Sequence, residues 1–243
     1  TSAPLTVTAQ PQTKVYGGTV SMTGTLDVNY TATGFVNGEE AGTLSLTYAG
    51  GEATTASVGT YTITASDLTM GVTGSLSNYS ISYVTGVLTV TSAPLTVTAN
   101  SESKTFGTTL TSSAGSTTFT ATGLLNSETI GSVTISYGAG ALGTASVGTY
   151  TNSVTVSAAT GGTFTSSNYS ITYIPNTLSV TQAPLTITAQ PQTKVYGSSI
   201  STTGVFGSTY SVTGLQNTDA AGTLSLTYSG SPSGELSTAS VGT

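Results

Sequence analysis

The chain has 243 residues, of which 5% are charged, and carries three lysines, nine acids, no histidine, no cysteine and a formal net charge of −6 at pH 7. With no arginine either, there is no basic patch to follow a phosphate backbone, so nucleic acid is excluded as a partner. Thiolate chemistry and histidine general acid–base catalysis are excluded with it, and serine and threonine hydroxyls must wet most of the surface.

Ala3-Pro4-Leu5-Thr6-Val7-Thr8-Ala9, followed by Lys14-Val15-Tyr16-Gly17, returns as Ala93 to Gly107 and again as Ala183 to Gly197. A fixed long period means tandem copies of one folding unit. The spacing sets three repeats, 1–90, 91–180 and an incomplete 181–243. A repeat of this length buries only roughly 60–65% of its unfolded surface, and disulfides cannot add to its stability.

Within the first repeat, Leu5-Thr6-Val7-Thr8 alternates apolar and polar residues as a half-buried strand does. The same alternation marks Thr43 to Tyr48, Thr60 to Thr64, Asn78 to Tyr83 and Val87 to Val90, giving six or seven short strands. Asn37-Gly38 is a turn signal, and Thr85-Gly86 reads as a tight hairpin turn between the last two strands. A short helical turn near Gly34 to Glu40 is the only helical expectation. The second repeat follows the same order, with Pro175-Asn176 at its hairpin position. The fold class is therefore all-β: tandem small β-sandwich or β-grasp-like repeats. Val90-Thr91-Ser92-Ala93-Pro94 leaves almost no linker, so the repeats should form a rod.

The 13 tyrosines fall on repeat positions, among them Tyr16/Phe106/Tyr196, Tyr30/Phe119/Tyr210 and Tyr79/Tyr169. Replacement only by phenylalanine makes the ring matter more than the hydroxyl and favours core packing over ligand stacking. Lys14, Lys104 and Lys194 share one column. Downstream of each comes a Gly-x-x-Asn-x-acid motif, with Asn37 and Glu39, Asn126 and Glu128, and Asn217 and Asp219. The bland reading is a salt bridge or turn lock, with asparagine at positive φ. The sharper one is an acid-catalysed isopeptide bond from Lys14 to Asn37 or Asn78, with Lys104, Asn126, Glu128 and Asn168 repeating the arrangement.

Other chemistry is weakly signalled. Thr-x-Thr runs suggest ice-binding or cross-β ladders, but those repeat far more often than every 90 residues. Asn29-Tyr30-Thr31, Asn78-Tyr79-Ser80 and Asn168-Tyr169-Ser170 match the glycosylation sequon at places where turns are needed anyway. Glu39-Glu40 has no counterpart pair in later repeats, no calcium loop is present, and no cofactor or catalytic residue is expected.

Taken together, Ala-Pro-Leu-Thr-Val-Thr-Ala, Lys-x-Tyr-Gly, Gly-Leu-x-Asn, Leu-Ser-Leu-Thr-Tyr, Val-Gly-Thr-Tyr and Asn-Tyr-Ser-Ile-Ser-Tyr resemble the MBG domain of YGX type. Repeats of that family occur in large bacterial surface and secreted adhesins. The resemblance implies a non-enzymatic extracellular repeat of the cell surface or biofilm matrix, a stalk, spacer or filament. The alternative is a module that binds host or matrix glycan. Partners are then the rest of a longer repeat chain or other copies, and no apolar run spans a membrane. The chain reads as a mature or excised segment. Its last repeat stops before the counterparts of Tyr61 to Val90, so its strands should be left uncovered unless further chain or a neighbouring molecule completes them.

Overall fold

The computed structural model describes residues 1–71, 74–230, 234 and 236–238. The chain divides into two compact units, Thr1–Asn100 with Ser113–Ile135 and Thr155–Pro175, and Ser101–Ser112 with Ser136–Val154 and Asn176–Thr243.

The first unit contains β1 (Ala3–Ala9), β2 (Gln12–Val15), β3 (Thr23–Thr25), β4 (Tyr30–Thr33), β5 (Thr43–Thr47), β6 (Gly59–Ser66), β7 (Tyr79–Val84) and β8 (Gly86–Thr91). They make two sheets, ordered β4-β1-β7 and β2-β8-β6-β5-β3. The alternation read from Leu5 to Thr8 is what closes the space between them. Leu5, Val7 and Ala9 of β1 are buried, and so are Leu44 and Leu46 of β5, Ile63 of β6, and Leu88 and Val90 of β8. Each large aliphatic side chain contributes about 1.5–3 kcal/mol on burial.

The expected strands all form, and β2, β3 and β4 are additions that the alternation did not reveal because each has four residues or fewer. The hairpin expected at Thr85-Gly86 is absent. β7 runs parallel to β1, pairing Leu5 with Ile81, whereas β8 lies antiparallel to β6 and parallel to β2. The chain turns a corner from one sheet to the other, and a Cβ on Gly86 would lie 2.6 Å from the Ala9 carbonyl oxygen. Glycine there serves close backbone approach, which sequence cannot distinguish from a hairpin turn. Residues 34–40 form a turn at Asn37-Gly38 instead of a helical turn, and the helical pieces are single 3-10 turns, Leu76–Asn78 and Ser166–Asn168. Among the described residues there is no α-helix to complete a β-grasp, and no helix long and apolar enough to cross a membrane.

The second repeat has the same plan. Its strands are β9 (Ala93–Ala99), β10 (Glu102–Thr105), β11 (Ser113–Ser116), β12 (Phe119–Thr122), β13 (Ile130–Tyr137), β14 (Gly148–Gly162), β15 (Tyr169–Ile174) and β16 (Asn176–Thr181). The strand orders β12-β9-β15 and β10-β16-β14-β13-β11 copy those of the first repeat element for element. β9 with β12 and β15 belongs to the first unit, and β10 with β16 to the second.

The third repeat, also in the second unit, shows β17 (Thr186–Ala189) against β19 (Tyr210–Thr213), and β18 (Thr203–Gly204) against β20 (Leu224–Ser225). Among the described residues β17 pairs with β19 alone. Ile187, in the position of the fully buried Val7, is 55% exposed.

Tyrosine hydroxyls do more than the substitution pattern suggested. Tyr48 donates to the Ser21 carbonyl at 2.6 Å, Tyr61 to that of Ser57 at 2.9 Å and Tyr150 to that of Ser146 at 2.8 Å. The Tyr48 ring is buried in the core and those of Tyr61 and Tyr150 are half-buried, while all three hydroxyls tie down loop carbonyls.

Candidate functional site

The conserved-looking motifs within this chain meet in two places, and these lie in different parts of each repeat. The first is an edge, built by β2 and the Tyr16-Gly17 turn that follows it. Tyr16 N donates to the Thr91 carbonyl at 2.8 Å, and Gly17 N to that of Thr54 at 3.1 Å. Lys14 is buried on β2, with its Nζ donating to the carbonyls of Gly18, at 3.1 Å, and Ala53. It thereby staples the turn to the 53–54 segment. Burial holds the Lys14 amine below its ordinary value, with Glu52 pulling weakly the other way. Lys104 repeats the staple on the carbonyls of Thr108 (2.6 Å) and Leu142, its amine likewise lowered by burial, and Lys194 on those of Ser198 and Leu236.

The second place is a socket, formed by the Gly-x-x-Asn-x-acid motif and the seventh strand. In the second repeat, Leu125 N donates to the Tyr169 hydroxyl at 3.0 Å, and that hydroxyl donates to Glu128 Oε2. Asn126 sits at φ 52°, as the turn reading expects of this column, with Asn37 at 56° and Asn217 at 53°. The first repeat builds the same socket: Val36 N donates to the Tyr79 hydroxyl at 3.1 Å, and Tyr79 donates to Glu39 Oε2.

Edge and socket lock together across the first and second repeats, inside the first compact unit. The Tyr16 ring, 3% exposed, meets Tyr169 edge to face at 5.5 Å, and its hydroxyl donates to Glu128 Oε1 at 2.8 Å. Asn126 Nδ2 donates to the Thr54 carbonyl at 3.1 Å, and Asn168 Oδ1 accepts from Val58 N at 3.0 Å. Leu125 lies so close that a Cβ on Gly17 would stand 2.6 Å from its Cδ1. At φ 83° Gly17 is also in the left-handed region, so both conformation and contact call for glycine. Burial, assisted by the Glu128 charge, pushes the Tyr169 hydroxyl up to about 12 and raises that of Tyr16.

A second joint lies within the second compact unit. Gly107 N donates to the Gly143 carbonyl at 3.0 Å, Asn217 Nδ2 donates to the same carbonyl at 3.2 Å, and a Cβ on Gly107 would collide with the Gln216 side chain. Here the aromatic residue is Phe106 and the acid is the shorter Asp219. The two border a hollow of about 290 Å³ lined by Val147, Leu185 and Leu215 together with Gln182 and Gln216. The loss of the hydroxyl at Phe106 thus coincides with the loss of a glutamate to receive it.

The residues singled out in the sequence are accordingly distributed between two roles. Lys14, Lys104 and Lys194 bond carbonyls at edges, whereas Glu39 and Glu128 bond tyrosine hydroxyls in sockets. Asn126, Asn168 and Asn217 bridge from socket to edge. Asn37, Glu39 and Asn78 border a concavity of about 460 Å³ on the first repeat. Asn168 is buried and Asn29 is too, its Oδ1 taking the Thr25 amide at 2.7 Å, so of the three sequons only Asn78 is exposed. Tyr16 and Tyr169 were visible only as repeat columns, and Thr54 and Gly143 carried no signal because they act through backbone carbonyls. Among the described residues no three acids gather as a metal site would require.

The family model for the MBG domain of YGX type matches residues 5–89 and 95–179. No curated protein and no solved structure matches the chain.

Proposed function

The chain belongs to the YGX-type MBG domain family, and from that premise we propose that it is a structural repeat segment, a stalk or spacer in an extracellular bacterial surface or biofilm-matrix adhesin, with no enzymatic role. The observation that carries this reading is the joint. In the joint between the first and second repeats, the Tyr16-Gly17 turn, Asn126, Asn168 and Glu128, which stand in the most distinctive recurring columns, are consumed in holding one repeat to the next. A module evolved to grip a ligand would leave such residues open and varied from repeat to repeat. A repeat evolved to transmit position along a chain would spend them on its neighbour, since stability in tandem arrays resides largely in nearest-neighbour interfaces. The three-repeat division at 1–90, 91–180 and 181–243 is part of this proposal.

Binding of the isolated chain to arrayed glycans and to host matrix proteins tests it. The expected result is no saturable binding. Saturable binding lost on substituting exposed residues of a single repeat would replace the spacer with the glycan- or matrix-binding alternative.

A further inference from the structure

We infer that the repeat is a force-bearing clamp: a pull along the chain is opposed in shear by two parallel strand pairs, β1 with β7 and β2 with β8. This rests on the spacer reading and adds the tension that the spacer withstands.

The first observation is the direction of the terminal strands. The opening segment of the first repeat, β1 then β2, runs parallel to its closing segment, β7 then β8. The stagger is the same before and after the corner: Ala3 faces Tyr79, Thr8 faces Val84, Gln12 faces Leu88 and Val15 faces Thr91. Tension enters the repeat at Ala3 and leaves it at Thr91, at opposite ends of this double ribbon, so the two segments are drawn past each other in opposite directions. Hydrogen bonds weaken steeply as they stretch or bend. Sliding strains all the ladder bonds together, whereas prising two strands apart from one end strains them in turn. The hairpin expected at Thr85-Gly86 would have sent the closing strand back antiparallel to β7. The crossing at Gly86, where a Cβ would stand 2.6 Å from the Ala9 carbonyl oxygen, keeps both closing strands parallel to both opening ones.

The second observation is that neither loaded strand lies at an edge. β1 is flanked by β4 and β7, and β8 by β2 and β6, so neither can be stripped from the side of a sheet. The third is a lock where the tension leaves. Tyr16 N donates to the Thr91 carbonyl at 2.8 Å, and Thr91 Oγ1 donates to the Lys14 carbonyl at 3.3 Å, which carries the β2–β8 ladder past Val15. Lys14 is itself pinned through its buried side chain to the Gly18 and Ala53 carbonyls. The second repeat has the corresponding registers, Tyr169 facing Ala93 in β15–β9 and Thr181 facing Thr105 in β16–β10, both parallel. Its lock recurs as well: Phe106 N donates to the Thr181 carbonyl at 2.9 Å, and Thr181 Oγ1 to that of Lys104 at 3.2 Å.

The chain has no cysteine, so pairs of introduced thiols fix where force is applied to the full 243-residue chain in optical tweezers. Ser2→Cys with Ser92→Cys loads the ribbon from opposite ends, and Ser2→Cys with Ser77→Cys loads β1 and β7 from the same end. All three serines are exposed, and the substitutions should leave the circular dichroism spectrum and the urea midpoint unchanged. The expected result, at one pulling rate, is a several-fold higher rupture force for the opposite-end pair, in a single step that releases about 300 Å of chain. Forced rupture reports the unfolding barrier, so two attachments on one equally stable fold separate direction from stability. Equal forces in the two geometries overturn the proposal, as does a higher force for the same-end pair or stepwise yielding of the opposite-end pair. Glycan or matrix binding, which decides the spacer reading, leaves these forces untouched, so the two can fail separately.

Discussion

Replacing Glu128 by alanine removes the carboxylate that receives two phenol hydroxyls, those of Tyr16 at 2.8 Å and of Tyr169, both of them buried. A hydrogen bond to a charged acceptor contributes about 1.5–3 kcal/mol, and a buried donor left without an acceptor loses its full solvation. The expected destabilisation is about 3–5 kcal/mol. Glu39→Ala provides the internal comparison, since Glu39 receives Tyr79 alone in an otherwise matching socket, and should cost about 1.5–3 kcal/mol. The difference belongs to the joint. Urea unfolding followed by circular dichroism gives both numbers, and hydrogen exchange at the Leu125 amide, which donates to Tyr169, localises the effect. In a Tyr16→Phe background, Glu128→Ala should cost no more than Glu39→Ala does in the wild type, a coupling of about 1.5–3 kcal/mol between residues 112 positions apart. Zero coupling between Tyr16 and Glu128 would refute the joint as an energetic contact.

Gly17→Ala should destabilise by about 1–2 kcal/mol through its positive φ, and by more through the collision with Leu125; adding Leu125→Ala should recover only the collision part, as read by the same urea curves. Lys14→Met leaves the Gly18 and Ala53 carbonyls without their donor and should cost about 1–3 kcal/mol, whereas the intact mass of the wild type should equal that of the unmodified sequence, with no ammonia lost to a lysine–asparagine bond. At alkaline pH, the Tyr169 phenol stays protonated in the folded chain to about 12, while the unfolded phenol ionises near 10. Stability is therefore retained below pH 10 and declines between 10 and 12, and Tyr169→Phe should flatten that decline in a pH series of unfolding curves.

The sequence made the period, the strand alternation and the family legible, because all three are written in side chains at regular spacing. Leu5, Val7, Leu44 and Leu46 alternate in sequence and point into one core. The crossing of β7 and β8 into different sheets was not legible, since Gly86 reads alike whether it makes a hairpin or lets the Ala9 carbonyl approach. The candidate site was half legible. Lysine, asparagine and acid were correctly seen as recurring columns, but columns do not say which copy a residue serves. Lys14 acts on its own repeat's edge, while Asn126 and Glu128 act on the edge of the repeat before theirs. Partners that are backbone carbonyls, such as those of Thr54 and Gly143, leave no residue-type signal at all.

That division explains how a chain with so few charges can hold its repeats in register. The joint between the first and second repeats uses two aromatic rings, one glycine, two asparagine amides and one acid, and two of its three side-chain hydrogen bonds end on backbone groups that any repeat possesses. Backbone acceptors let copies diverge in their loops without losing the joint, while the aromatic and the acid are expected to change together. Where Tyr16 and Glu128 share a hydrogen bond, Phe106 and Asp219 border a hollow instead. A mismatched joint, tyrosine against aspartate or phenylalanine against glutamate, would leave a hydroxyl or a carboxylate oxygen without the partner that Tyr16 and Glu128 give each other, at a position where Phe106 is half-buried. Phe106→Tyr alone should therefore weaken the second joint, and Phe106→Tyr combined with Asp219→Glu should restore it, with hydrogen exchange at the Gly107 amide reporting both. Equal protection in the single and double variants would mean that ring and acid are chosen independently, and that nothing in these two positions sets which repeat can follow which.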